Sequence, residues 1–415
     1  MTSPDLAPGR GPRILLVGMA DSIHLARWIA QFAGLGWDLH LFPERAATPH
    51  PNLAGVTVWD WAPVTRSDPG RDLLVRNPLT LRDRTLTAAG RPPSRAAVLA
   101  GLIQKLRPDV LHTMEFQHAG YLAVDAWDRL TMEPKPAWIA SNYGSDIHLF
   151  GRLSEHRPQI RALLERADIH HCECARDLAH GHTHGFAGAD AELVPMGGGW
   201  DLDAVSVFRQ PGRVSRRKTI ALKAYEGWAG RAGVALEALR RCADLLPAYT
   251  LELYRCDDDM LARAQILSKE TGIAVRRQST LYAEATYEDI LALHGRARIS
   301  IGLSISDAIS TSLLEAMLMG SFPVQSNTGC CDEWITSGVN GILTPAEDPA
   351  AVAVAIRKAL TDDLLVDRAA AINAEVARER LAYPIVRERA VGIYDLARSL
   401  RNGAEEVEGR RRCAS

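Results

Sequence analysis

Short apolar runs alternate with amphipathic stretches along most of the chain. Arg13 to Gly18 (RILLVG) is apolar and ends in glycine, the pattern of a strand buried on both faces. Asp21 or Ser22 can cap the helix that the spacing predicts from Ile23 to Leu35, and Gly36 ends it. Leu39 to Phe42 then reads as a second strand, which completes a βαβ unit. Asp109 to His112, Ala137 to Ala140, Ile169 to Cys172 and Leu193-Val194 read as further strands, with a helical run from Ala119 to Leu130. Residues 64–95, rich in Arg, Asp and Pro, predict a surface excursion.

The pattern restarts after residue 200. Strands are expected at Thr219 to Lys223, Thr250 to Tyr254, Ala274-Val275, Ile299 to Leu303 and Phe322 to Gln325. Helices are expected at Gly230 to Leu245, Pro349 to Leu360 and Leu364 to Arg380. The implied architecture is α/β, with two Rossmann-like, doubly wound domains facing a cleft. Their expected spans are residues 1–205 and 206–383. A helix over 384–402 would cross back to the first domain, and 403–415 would form a disordered tail. Ligands of such sheets bind at the carboxyl ends of the strands.

Composition narrows the function. A chain of 415 residues can bury two cores. A net charge of −2 gives no general attraction for nucleic acid or anionic membrane. No apolar run reaches the ~18 residues that a membrane span needs. The start, MTSPDLAPGRGPR, lacks the apolar core of a signal peptide. Seven Cys without disulfide-like spacing fit reduced thiols, so a cytoplasmic location is expected. Nothing in the sequence indicates the oligomeric state.

The stretch from 307 to 345 concentrates the chemistry. Asp307 and Glu315 flank a turn of small and hydroxyl-bearing residues that opens a helical run. Free N–H groups and the positive end of the dipole make such a turn an anion site, most often for phosphate. Carboxylates beside it can accept hydrogen bonds from ribose or sugar hydroxyls. Together they point to a nucleotide-sugar pocket.

The order Asp307, Glu315, LLEAM, Gly320, FPV, SNTGCCDEWI and NGILTP, with Glu333 and Asp348-Pro349, resembles family 4 retaining glycosyltransferases of the GT-B fold. The resemblance covers nearly the whole chain. It implies that Glu315 binds the ribose hydroxyls and Asp307 the donor sugar. It implies that Ser310, Thr311, Ser312, Leu313 and Leu314 offer backbone N–H groups to sugar and phosphate. Asp307 stands where the family usually has Glu, and Ala308-Ile309-Ser310 where it usually has Gly-Phe-Gly.

The family neutralises the leaving pyrophosphate with cations from the early second domain, without metal. The matching segment is ALKAYEGWAGRAGVALEAL, in which Lys223 closes a strand and Arg231 opens a helix. In the first domain, Gly18 and Asp21 lie in a loop that resembles the family's turn near the phosphates and acceptor. His24 follows on the first helix. Tyr143 and Asp146 belong to NYGSDI, where the family's turn usually carries a His in place of Tyr143. His112 and His118 are further acceptor-side candidates. The first turn is not GxGxxG, which argues against a nicotinamide dinucleotide.

Residues 170–184 (HHCECARDLAHGHTH) contain five imidazoles and two thiols, but without the spacing of a zinc site, and whether they hold metal stays open. No cofactor and no metal are expected. The implied reaction moves a sugar from a nucleotide diphosphate to a small-molecule or glycan acceptor with retained configuration. A phosphorylase, an epimerase or a non-catalytic nucleotide-sugar-binding subunit are the alternatives. The base, the sugar and the acceptor carry no signature.

Overall fold

A computed structural model describes residues 11–60, 66–280 and 285–413, and the side chains among these up to residue 403. The chain divides into two compact units. One holds the residues up to Gly199 together with those from Val386 onward; the other is Trp200–Ile385.

The first unit carries nine strands: β1 (Arg13–Gly18), β2 (Asp38–Pro43), β3 (Val56–Trp59), β4 (Arg66–Asp68), β5 (Leu73–Arg76), β6 (Val110–Met114), β7 (Ala137–Ser141), β8 (Ile169–His171) and β9 (Ala189–Asp190). Their order is β4-β5-β3-β2-β1-β6-β7-β8-β9, parallel except for the β4–β5 pair. Strand β1 shows why: Ile14 and Leu16 enter one apolar cluster, Leu15 and Val17 the other. Both faces are covered, as a parallel sheet requires. Each such fully buried Leu or Ile contributes about 1.5–3 kcal/mol.

The second unit has six strands: β10 (Thr219–Lys223), β11 (Thr250–Tyr254), β12 (Ala274–Arg277), β13 (Ala297–Gly302), β14 (Phe322–Ser326) and β15 (Ile342–Thr344). The order is β12-β11-β10-β13-β14-β15, all parallel. Counted from β10, this is the doubly wound order 3-2-1-4-5-6, and its switch point lies between β10 and β13. The helix Thr311–Met319 ends at Gly320, whose φ of 78° suits a left-handed cap.

Several expectations change. The stretch expected as a surface excursion supplies β4, β5 and the helix Leu81–Ala88, and it extends the sheet; residues 64 and 65 lie outside the described part. Leu193-Val194 is not a strand; the ninth strand is Ala189–Asp190. The final helix starts at Tyr383 and continues to Cys413, through most of the stretch expected to be a tail. Its Val386, Ala390, Ile393, Tyr394 and Ala397 are buried in the core of the first unit.

Candidate functional site

In the second unit a pocket opens at the carboxyl ends of β10, β13 and β14. Lys223 and Tyr225 line it from the end of β10 and the loop after it, and Gly302, Leu303 and Ser304 from the end of β13 and the loop after it. Asp307 and Ser310 come from the turn before the helix Thr311–Met319, and Gln325 and Ser326 from β14. The loop after β10 is pinned in place. Gly230 pairs with Ser304, Arg231 N–H donates to Leu303 (3.0 Å), and Ile305 N–H to Ala229 (2.9 Å). The loop after β14 lies on the Asp307 turn, with Cys330 N–H donating to the Ala308 carbonyl at 2.8 Å. Gly329 permits this approach, since a Cβ there would stand 2.7 Å from the same carbonyl oxygen.

Ser310 takes the N-cap position. The amides of Leu313 and Leu314 turn back onto its carbonyl at 2.9 and 3.2 Å, which withdraws both from ligand binding. Those of Thr311 and Ser312 precede the first closed turn. Glu315 sits one turn further on, 6% exposed, in a helix buried throughout from Ser312. Its carboxylate lies 3.9 Å from His294 Nε2. Burial, with Lys223 and Arg296 nearby, drives the His294 ring down to about 3, so it is neutral. Its Nδ1 bonds Ser300 Oγ at 2.8 Å. Burial raises the Tyr254 hydroxyl, which meets Ser312 and feels the Glu315 charge.

Arg231 is placed differently from expectation. Its guanidinium pairs with Glu347 at 2.8 Å and donates to the Gly230 carbonyl at 2.8 Å. Arg231 does not line the pocket with Lys223.

In the first unit the candidates fall into two groups. At the strand ends, His24 and Tyr143 approach with ring centroids 6.2 Å apart. Ser22, not Asp21, caps the first helix. Asp21 instead pairs with Arg45 at 2.8 Å, and Arg45 also reaches Glu44 at 2.6 Å. Asp146 is buried and accepts the amides of Tyr143 (2.9 Å) and Phe116 (3.1 Å). Burial, then the charge of Glu115, raises its carboxyl well above the usual range. His118 is largely in solvent, 3.4 Å from Glu115. Gly18 ends β1 between these loops, and its carbonyl accepts the Glu44 amide at 3.1 Å.

His112 belongs to the core. Its Nδ1 meets the Tyr394 hydroxyl and its Nε2 Ser141 Oγ, both at 2.6 Å. The chain runs on through His171 Nδ1 (2.8 Å) to the Val194 carbonyl, and Trp28 Nε1 donates to Tyr394 at 3.0 Å. Every polar atom of the ring is used internally, so His112 is not an acceptor-side residue.

The imidazoles of residues 170–184 do not converge. His170 bonds Asn142 at 2.8 Å, His180 meets His148 at 3.1 Å, and His182 meets Asp190 at 3.0 Å.

Residues 236–377 match the family model of Glycosyl transferases group 1. No curated protein matches the chain. Among solved structures, similar ones include Anabaena Alr3699/HepE in complex with UDP and glucose, with 14% identity over 92% of this chain and 99% of that one, at a TM-score of 0.64. The sucrose-phosphate synthase tll1590 from Thermosynechococcus elongatus shares 17% identity over 94% of this chain and 99% of its own, at 0.63. The α,α-trehalose 6-phosphate synthase from Burkholderia multivorans shares 13% over 96% and 99%, at 0.68. The fold is GT-B. Among the described residues, no helix is long and apolar enough to cross a membrane.

In this GT-B chain several site residues escaped the sequence reasoning. Tyr225 and Gln325 line the pocket, and His294 stands behind Glu315. Glu44, Arg45 and Glu115 tie the strand-end group of the first unit together. Glu44 directly follows β2 and Glu115 directly follows β6. An acid one residue past a parallel strand is the signal that could have found them.

Proposed function

We propose that the protein transfers a sugar from a nucleotide diphosphate sugar to a hydroxyl acceptor, with retention of configuration. The observation that carries the reading is the pocket at the switch point of the second sheet, where Lys223, Asp307 and Ser310 meet, with Glu315 in the next turn of helix. The match of residues 236–377 to group 1 glycosyl transferases supports it.

In this reading Glu315 accepts hydrogen bonds from the ribose and Asp307 from the donor sugar. Lys223 and the amides of Thr311 and Ser312 meet the pyrophosphate charge without a metal. The bond from the anomeric carbon to the phosphate oxygen breaks. The acceptor oxygen bonds to that carbon on the same face, and its proton passes to the departing phosphate. The protein contributes position and charge. Leu313, Leu314 and Arg231 drop out as direct donor ligands, since their own partners hold them. Gly18 remains a donor-side candidate, and Asp21, His24, His118, Tyr143 and Asp146 remain acceptor-side candidates.

UDP-sugars come first as donors, because the structure of Anabaena HepE contains UDP. Calorimetry with UDP-, GDP-, ADP- and TDP-sugars is expected to find one that binds. Release of its nucleotide diphosphate should require an acceptor. Binding of none of them would remove the reading, and acceptor-independent turnover would favour an epimerase.

A further inference from the structure

We propose that Glu44, Glu115 and His118 form a divalent-metal site in the first unit. It shares no residue with the donor site and does not depend on the proposed reaction. The strand order β2-β1-β6 brings together two acids that are distant in sequence, Glu44 just past β2 and Glu115 just past β6. One ligand atom from each of the three residues lies within 4.8 Å of the others.

The local hydrogen bonds leave one ligand atom of each residue close to those of the other two. Glu115 Oε1 accepts the amides of His118 (2.6 Å) and Ala119, which fixes the carboxylate and leaves Oε2 near His118 Nδ1, 3.4 Å away. Glu44 Oε1 accepts from Arg45 at 2.6 Å. Glu44 Oε2 is buried, on a side chain only 1% exposed, with no N–H or O–H donor fixed on it among the described residues, and the Glu44 carboxyl lies against that of Glu115. A buried carboxylate oxygen beside a second carboxylate must be met by a proton or a cation.

The surroundings favour the cation. Arg45, which pairs with Glu44, is shared with Asp21. Two carboxylate oxygens and one imidazole nitrogen suit Mn²⁺, Fe²⁺ or Zn²⁺. Bonds of about 2.0–2.2 Å hold donors no more than about 4.4 Å apart. The three ligand atoms already lie within 4.8 Å of one another, and the His118 side chain is 73% exposed. Three protein ligands leave further positions open to oxygen donors.

The test uses the full chain after chelator treatment. Mn²⁺ is titrated by electron paramagnetic resonance and Zn²⁺ by calorimetry. One ion per chain is expected for at least one of the two metals. Glu44→Gln should abolish the binding, and His118→Ala should weaken it about 10- to 100-fold. His118 lies at the surface, so its variant still decides the matter if Glu44→Gln fails to fold. Substoichiometric binding of both metals, or affinity unchanged in His118→Ala, overturns the proposal. So does an infrared band of a protonated Glu44 carboxyl that persists at saturating metal.

Discussion

Replacing Glu315 by Gln separates a ligand role from a structural one. The helix around it is buried on all sides from Ser312 to Met319, and Glu315 itself is 6% exposed. The nearest imidazole, His294 at 3.9 Å, is held neutral and offers the carboxylate no compensating charge near pH 7. Gln fills the same volume, so no cavity opens. Stability without ligand, measured alongside, separates a loss of fold from a loss of binding. Donor binding should fall, because ribose hydroxyls would lose charge-assisted hydrogen bonds worth about 1.5–3 kcal/mol each. The amide oxygen still accepts one of them, which puts the net loss near 2–3 kcal/mol, about 30- to 150-fold in Kd. Calorimetry with the best-binding nucleotide sugar measures the affinity, and thermal unfolding without it measures the stability. Donor affinity within twofold of the parent, in a variant that unfolds at the same temperature, would refute the ribose assignment.

The other expectations use different groups. Lys223→Ala should lower turnover by about 10²–10³-fold, read from nucleotide diphosphate release, if its charge meets the leaving phosphate. Arg231→Ala should change it less than about fivefold, since Arg231 is committed to an ion pair with Glu347 worth about 0.2–1 kcal/mol. His112→Ala removes one of the hydrogen-bond partners of the Tyr394 hydroxyl and of Ser141 Oγ and leaves a cavity. Urea unfolding should show a loss of about 3–5 kcal/mol, with unchanged donor affinity. Acid should destabilise the fold, because burial holds His171 at about 4 and His170 and His294 at about 3, against an ordinary 6.5. These rings are neutral when folded and take up protons on unfolding. Their contribution is complete above about pH 6.5 and falls below it, by about 1.4 kcal/mol per pH unit for each group at the steepest. A denaturation midpoint that stays flat between pH 6.5 and 4.5 would contradict this.

How much of the fold was legible depended on burial. The bounds of β1, β10 and β11 coincide with those expected from their sequence, because these strands are buried and, Glu252 in β11 apart, their centres are apolar. The edge strands carry no such run. Arg66–Asp68 has no apolar residue at all, and it pairs antiparallel with β5. Leu193-Val194 looked like a strand for the opposite reason. Val194 is buried, but its carbonyl serves His171 Nε2 instead of a ladder. The last helix runs past Leu400 because RNGAEEVEGRRRC contains Gly but no Pro, and glycine costs a helix only about 1 kcal/mol.

The site divides along the same line, between what is local in sequence and what the sheet order assembles. Asp307, Ser310 and Glu315 form one turn and helix, so nine consecutive residues state the geometry. Glu44 and Glu115 are 71 residues apart (115 − 44), and each looks alone like a solvated surface acid. Only the order β2-β1-β6 makes them neighbours. The true end of a strand then decides the fate of a polar residue near it. Lys223 is the last residue of β10 and lines the pocket. His112 was expected to end its strand, but β6 continues for two more residues to Met114. That small difference keeps the imidazole under the sheet, bonded on both nitrogens. Glu115, the first residue past the strand, turns its carboxylate to the loop amides and to Glu44 instead. In a parallel sheet, a polar side chain becomes available to a ligand where the ladder stops, and two residues earlier it has to be satisfied by the core.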